Sequence, residues 1–284
     1  MRGTDRGVVL GLHRLNPDRA LVEHALSLGV SGIDTAYNYC GFESHRRLAR
    51  VAADLLEWFT ISTKVGYFPV NQSGDRSVHS LCPARLREAI RRSVDDLGRS
   101  PDVVFLHNPE LALLGVCERE GCERLTRAGM VLTEAVAEGW CGSWGIATWD
   151  ARPLAALVDL PELGLRPSIF LVRSGLSVSH SVLAAGEEVC RSFDIPVNRR
   201  WGMSPFGGST ADPEWACVDL RSFAGSQEQC STLQVAYRLA FEVPAVSRVA
   251  VGTKDPAHLR ALVVATELAV NDQAIGRYRR LITD

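Results

Sequence analysis

The stretch Pro83-Ala84-Arg85-Leu86-Arg87-Glu88-Ala89-Ile90-Arg91-Arg92-Ser93-Val94-Asp95-Asp96-Leu97, followed after a short break by Val103-Val104-Phe105-Leu106-His107, holds the architecture in miniature. Leu86, Ile90, Val94 and Leu97 recur at helical spacing while arginines fill the opposite face, so the first segment reads as an amphipathic helix. The second is a short, β-branched apolar run ended by one polar residue, which reads as a strand.

Outward from this pair the same alternation repeats along the chain. Strands are expected at Val8–His13, Gly32–Ala36, Thr60–Val65, Val103–His107, Ser143–Thr148, Ser168–Arg173, Val197–Met203 and Arg248–Gly252, with helical patterns between them. Asn16-Pro17 is a helix-start signal for Arg19–Leu28. Repeated strand–helix units build a parallel sheet, either open and doubly wound or closed. The first strand-to-helix turn, Gly11-Leu12-His13-Arg14-Leu15, lacks the GxGxxG phosphate loop of the open form, and eight evenly spaced units suit closure. The expected fold is therefore α/β, a (β/α)8 TIM barrel in one domain over residues 1–284, a length close to the about 250 residues such barrels use. Glu110–Gly129 is less regular, and Gly207–Gln229 is rich in Gly, Ser and Pro; both are expected near the barrel mouth.

Composition narrows the function. Apolar residues make up 46% and charged residues 23% of the chain, and 31 basic against 33 acidic residues give a net charge of −2, with no basic stripe of the kind that tracks a phosphate backbone. Nucleic acid is excluded as a partner. The segment Met1–Gly7 is polar and charged and no apolar run approaches the about 20 residues of a membrane span, so a cytoplasmic, membrane-free protein is expected. The eight cysteines contain no CxxC pair, and the close pair Cys117 and Cys122 is weak evidence for zinc; free thiols and no metal are expected. Of the 31 basic residues only Lys64 and Lys254 are lysine, which draws attention to both, because an ammonium does things a planar guanidinium cannot.

In a barrel of this kind the chemistry sits at the carboxyl ends of the strands. Asp34, Lys64 and His107 end the second, third and fourth strands, and Tyr39 follows Asp34 by five residues. Singly, each has a plain structural role available, as a turn cap, a rim residue, a solvated charge or a partner for loop carbonyls. Jointly they form a coherent set: an ammonium would stabilise a phenolate and lower the phenol from its ordinary pKa of about 10, a carboxylate would hold the ammonium, and an imidazole would orient a substrate oxygen. Phe68, Trp144, Trp149, Trp201 and Trp215 are candidate pocket aromatics, and His45 is a loop histidine within reach of the site or solvated.

Asp34-Thr35-Ala36-Tyr37-Asn38-Tyr39 with Glu43, Ser62-Thr63-Lys64-Val65-Gly66, the helix from Leu86 and Leu106-His107-Asn108-Pro109 together resemble the aldo-keto reductase superfamily. The resemblance implies Tyr39 as general acid/base, Lys64 and Asp34 as its tuning pair and His107 as the orienting residue. It also implies NADP or NAD as cofactor and a small-molecule substrate. Cofactor contacts are implied at Thr148, Met203 and Ser204, and in the last unit at Gly252, Thr253, Lys254 and His258, where amides at a helix start suit a phosphate. The second half departs from the family pattern. Ala147-Thr148-Trp149 stands where Ser-Asn would hold a carboxamide, Phe170 stands in the place of a glutamine with Arg173 shortly after, and His258, Ala261 and Leu262 replace the adenosine contacts. Two functions follow: an NAD(P)-dependent oxidoreductase interconverting carbonyl and alcohol, or a dehydratase, epimerase or lyase using the same four residues without net hydride transfer. A non-catalytic regulatory subunit would have little use for the complete set.

Overall fold

The computed structural model describes residues 6–70, 76–225 and 230–283. Among these residues ten strands are formed: β1 Gly7–Gly11, β2 Gly32–Asp34, β3 Thr60–Val65, β4 Tyr67–Pro69, β5 Ser77–His79, β6 Val103–His107, β7 Ser143–Thr148, β8 Ile169–Arg173, β9 Arg200–Met203 and β10 Arg248–Val251. Eight of them close in the order β1-β10-β9-β8-β7-β6-β3-β2, each pairing in parallel with its neighbours, and β4 and β5 form a separate antiparallel hairpin. The expected (β/α)8 barrel is the observed fold. The hairpin was not expected, and Val197–Arg199 is a 3-10 turn ahead of a shorter β9.

Helices α1 Arg19–Ser27, α2 Ser44–Ala52, α3 Pro83–Leu97, α4 Glu118–Ala137, α5 Arg152–Ala155, α6 His180–Ser192, α7 Glu214–Cys217, α8 Thr232–Leu239, α9 Pro256–Ala265 and α10 Asp272–Thr283 complete the chain. The start of α1 is Asp18, whose carboxylate accepts from Leu21 N at 2.8 Å, rather than the Asn16-Pro17 pair just upstream. On α3, Leu86, Ile90 and Leu97 are buried against the sheet, as their spacing requires. Glu110–Gly129 resolves into a 3-10 turn, Pro109–Leu113, and the first half of α4, which packs on α3 and the strands; only the turn lies near the mouth.

Side chains of the barrel strands bury on both faces. Val103, Phe105, Ala147, Ile169, Leu171 and Trp201 fill the inside, while Val104, Leu106, Trp144, Ile146, Phe170 and Val172 pack outward under the helices. Each such large apolar side chain contributes about 1.5–3 kcal/mol through burial. The inside is tight: a Cβ at Gly145 would overlap the carbonyl oxygen of Ile169 and press on Phe105, so only glycine lets β7 and β8 close here. Among the described residues no helix is long and apolar enough to cross a membrane.

Candidate active site

A cavity of about 710 Å³ opens at the carboxyl ends of the strands, within the range of small-molecule sites. Asp34, Tyr39, Lys64 and His107 all line it. Register explains their meeting. Asp34 lies opposite Ser62 across the β2–β3 pair, and the pairing continues past β2 as Thr35 N donates to Ser62 O at 2.9 Å and Tyr37 N to Lys64 O at 2.9 Å. Lys64 lies opposite Phe105, two residues before His107 on β6.

Lys64 is buried, with 2% of its surface exposed. Its ammonium forms a short ion pair with Asp34, donates to Thr35 O at 2.9 Å and lies 3.3 Å from Tyr39 Oη. Asp34 accepts a further bond from Ser62 Oγ at 2.7 Å. Burial opposes the Lys64 charge, but Asp34 and Tyr39 outweigh it and the ammonium is held above its ordinary pKa. For Tyr39, burial raises the phenol and Lys64 pulls it down; the balance sits on the raised side. That reverses the expected lowering and leaves Tyr39 carrying its proton at neutral pH. His107 is pushed well below 6.5, by burial first and then by Lys64. It is thus neutral and suited to hydrogen bonding, its ring centroid 6.2 Å from that of Tyr39.

Several neighbours were not singled out from sequence. His13 lies with its ring centroid 5.1 Å from Tyr39. Tyr67, from the hairpin, packs 4.9 Å from His107 and accepts from Asn108 Nδ2 at 3.1 Å. Arg14, Asn38, Asn108 and Phe206 complete this wall, with Gly208, Ser209 and Thr210 contributed by the long loop expected at the mouth; residues 226–229 of that loop lie outside the described residues. Tyr67 and Asn108 flank the quoted motifs, and Asn108 sits at a left-handed φ of 47°, which asparagine tolerates better than most residues.

The other expectations divide. Met203, Ser204 and Gly252 line the cavity. Thr148 does not; it is buried on the outer side of β7 beside Glu110, and Ala147 takes the inward position. Phe170 likewise packs outward, and the inward residue of that strand is Leu171. Thr253, Lys254 and His258 sit on the rim beyond the cavity lining, with Lys254 exposed. The helix start there is occupied by the protein itself: Asp255 Oδ1 accepts from Ala257 N at 2.8 Å and His258 N at 3.4 Å, so the amides left free among the described residues are those of Thr253 and Lys254. Of the five aromatics, only Trp149 borders the cavity. Trp201 is inside the barrel against Phe105, Trp144 packs under α4, Phe68 packs on Tyr37, and Trp215 packs on Phe206. His45 is buried on α2, 2.8 Å from Thr63 Oγ1, and burial takes it down to about 3; it braces β3 from behind and is neither solvated nor in reach of the cavity.

The model of the aldo/keto reductase family matches residues 14–283. The chain belongs to this family of oxidoreductases. No curated protein matches the sequence. Among solved structures, the holo form of an aldo-keto reductase from Bacillus halodurans is 16% identical, with 98% of this chain and 91% of that one covered and a TM-score of 0.72. An aldo-keto reductase from Klebsiella pneumoniae in complex with NADPH is 15% identical, with 97% and 90% covered and a TM-score of 0.68. At these identities the likeness is one of fold.

Proposed function

We propose that this aldo-keto reductase interconverts a carbonyl and an alcohol on a small-molecule metabolite with NADP(H), or NAD(H), and that Tyr39 is its general acid/base. The observation that carries the reading is the Lys64 ammonium 3.3 Å from Tyr39 Oη, inside a cavity that His107 also lines. The Klebsiella relative's complex with NADPH supports the choice of cofactor.

The residues fit a nicotinamide dinucleotide at two places. A protonated phenol beside a cation faces the cavity, and the free amides of Thr253 and Lys254, with the Lys254 ammonium, suit an anionic group at the rim. Met203, Ser204 and Gly252 would hold the middle. The bound dinucleotide supplies hydride chemistry. Tyr39 gives its Oη proton to the carbonyl oxygen as negative charge develops there, Lys64 stabilises the phenolate left behind, and Asp34 balances Lys64. His107, neutral, orients the same oxygen by hydrogen bonding. In alcohol oxidation Tyr39 takes the proton back.

A second reading, a lyase or epimerase using the same residues, is favoured by the inward Ala147 and Leu171, which offer a carboxamide no side-chain hydrogen bond, and by Asp255 occupying its own helix start. Titrating the protein with NADPH and NADH, and following reduced-nicotinamide fluorescence, separates the two. Saturable binding is expected; no binding of either would transfer the assignment to the lyase.

A further inference from the structure

Glu110 is a buried carboxylate, 5% exposed, with no cation within 4.0 Å among the described residues. Burial raises its pKa against the backbone donors that hold it down. A charge in that position is costly unless its hydrogen bonds are needed. Glu110 Oε1 accepts from Trp149 N at 2.8 Å and from Asp150 N at 3.2 Å, and the Thr148 hydroxyl and Glu110's own amide also hold the carboxyl down. Glu110 stands three residues after His107, so the turn that ends β6 also ties down the turn that ends β7.

The residue fixed in this way is the only one of the five candidate aromatics that borders the cavity. Trp149 is 46% exposed, and the Arg173 guanidinium lies 4.8 Å from its ring centroid, while Asp150 is engaged by Arg152 at 2.6 Å. Backbone anchor and stacked cation together fix an indole that would otherwise lose rotamer freedom only on meeting a ligand. A pre-ordered flat wall on the cavity that His107 and Tyr67 also line selects flat partners, since offset aromatic pairs are favoured beyond area burial.

We infer that Glu110 is a positioning residue that holds Trp149 as a stacking wall of the cavity, and that the ligand bears a planar π-system. The inference about turnover rests on the reductase reading; the wall itself does not. The test compares benzaldehyde with hexanal in wild type, Trp149→Ala, Glu110→Ala and Glu110→Gln. Trp149→Ala and Glu110→Ala should raise KM for benzaldehyde about three- to tenfold, the range of an aromatic pair, with kcat moved less than twofold and hexanal little affected. Glu110→Gln keeps an oxygen for both amides and should restore wild-type selectivity. If Glu110→Ala does not fold, Trp149→Ala and the glutamine variant decide.

The planar group has two possible sources, substrate ring or nicotinamide ring. A fall in the benzaldehyde-to-hexanal preference at unchanged dinucleotide Kd assigns it to the substrate; a rise in Kd for NADPH and NADH alike at unchanged preference assigns it to the dinucleotide. Neither change in Trp149→Ala overturns the inference. If the wild type neither binds a dinucleotide nor turns over an aldehyde, the reductase reading fails, and the wall is read by fluorescence. Quenching by benzaldehyde of the signal that wild type has and Trp149→Phe lacks supports it, and the absence of quenching overturns it.

Discussion

The two halves of the barrel mouth are built differently. The β2–β3–β6 half is polar and mutually satisfied, with Asp34, Thr35 and Tyr39 converging on one ammonium and Ser62 donating to Asp34 behind them. The half from β7 to β10 presents Ala147, Met203 and glycine backbone to the same cavity, and its nearest helix start is capped by the protein's own Asp255. The proposed proton chemistry would therefore be fixed tightly by side chains, while whatever lies across the other half would be held by backbone, shape and a few rim groups. That contrast makes the first half sensitive to single-atom changes and the second half tolerant of them.

The largest effect is expected at the phenol. Tyr39→Phe should lower turnover by ~10² or more, typical of losing a general acid, with an unchanged melting curve; steady-state rates and calorimetry on one sample check both. Near-normal turnover would remove Tyr39 from its role and end the contrast between the halves. Lys64→Arg comes next, with a loss of roughly 10- to 100-fold, because a planar guanidinium cannot sit against Asp34, Thr35 O and Tyr39 Oη in one buried space. Because Tyr39 is raised above its ordinary pKa, carbonyl reduction should hold steady through neutral pH while alcohol oxidation climbs with alkalinity. Lys64→Arg should shift that alkaline limb, and an unmoved limb would mean Lys64 does not tune the phenol.

Stability gives a third probe. His45 has a folded pKa of about 3 against about 6.5 unfolded, so between those values the unfolded chain binds more protons. Stability from this group is complete above pH 6.5 and drains as pH falls toward 3, by up to a few kcal/mol. His45→Gln should flatten the acid limb of a denaturation-midpoint profile, and an equally steep limb would place the acid sensitivity elsewhere. The smallest effect belongs to the open half: Lys254→Ala should weaken NADPH binding about three- to tenfold and NADH less, in line with one exposed charge-assisted contact. A loss of a hundredfold or more would show the rim to be as exacting as the Asp34, Tyr39, Lys64 and His107 set.

The sequence was legible where a polar residue interrupts an apolar run. Asp34, Lys64 and His107 end strands that are otherwise hydrophobic, and Tyr39 sits at a fixed offset from the first of them, so all four could be named before any coordinates. Along β7 and β8 that signal vanishes, because strands covered by helices outside and packed inside are apolar on both faces. Nothing in Ile169-Phe170-Leu171-Val172 distinguishes inward from outward, so sequence alone assigns Phe170 the position that Leu171 holds and Thr148 the position that Ala147 holds. His45 reads as a loop residue from sequence because it follows the segment that carries Tyr39, yet α2 begins at Ser44. The three-residue strands of the hairpin, and with them Tyr67, are too short to carry any period.

The scarcity of lysine turns the folded chain into its own reporter of opening. With only Lys64 and Lys254 available, an amine-reactive reagent meets one exposed side chain at the rim and one that is 2% exposed and ion-paired. Labelling at Lys254 records access to the mouth. Labelling at Lys64 records the fraction of molecules in which β2 and β3 have parted, since burial and its three partners shield the amine until then. Two peptides in a mass spectrum would thus measure local opening at the centre of the Asp34–Lys64–Tyr39 cluster, against an internal standard a few strands away.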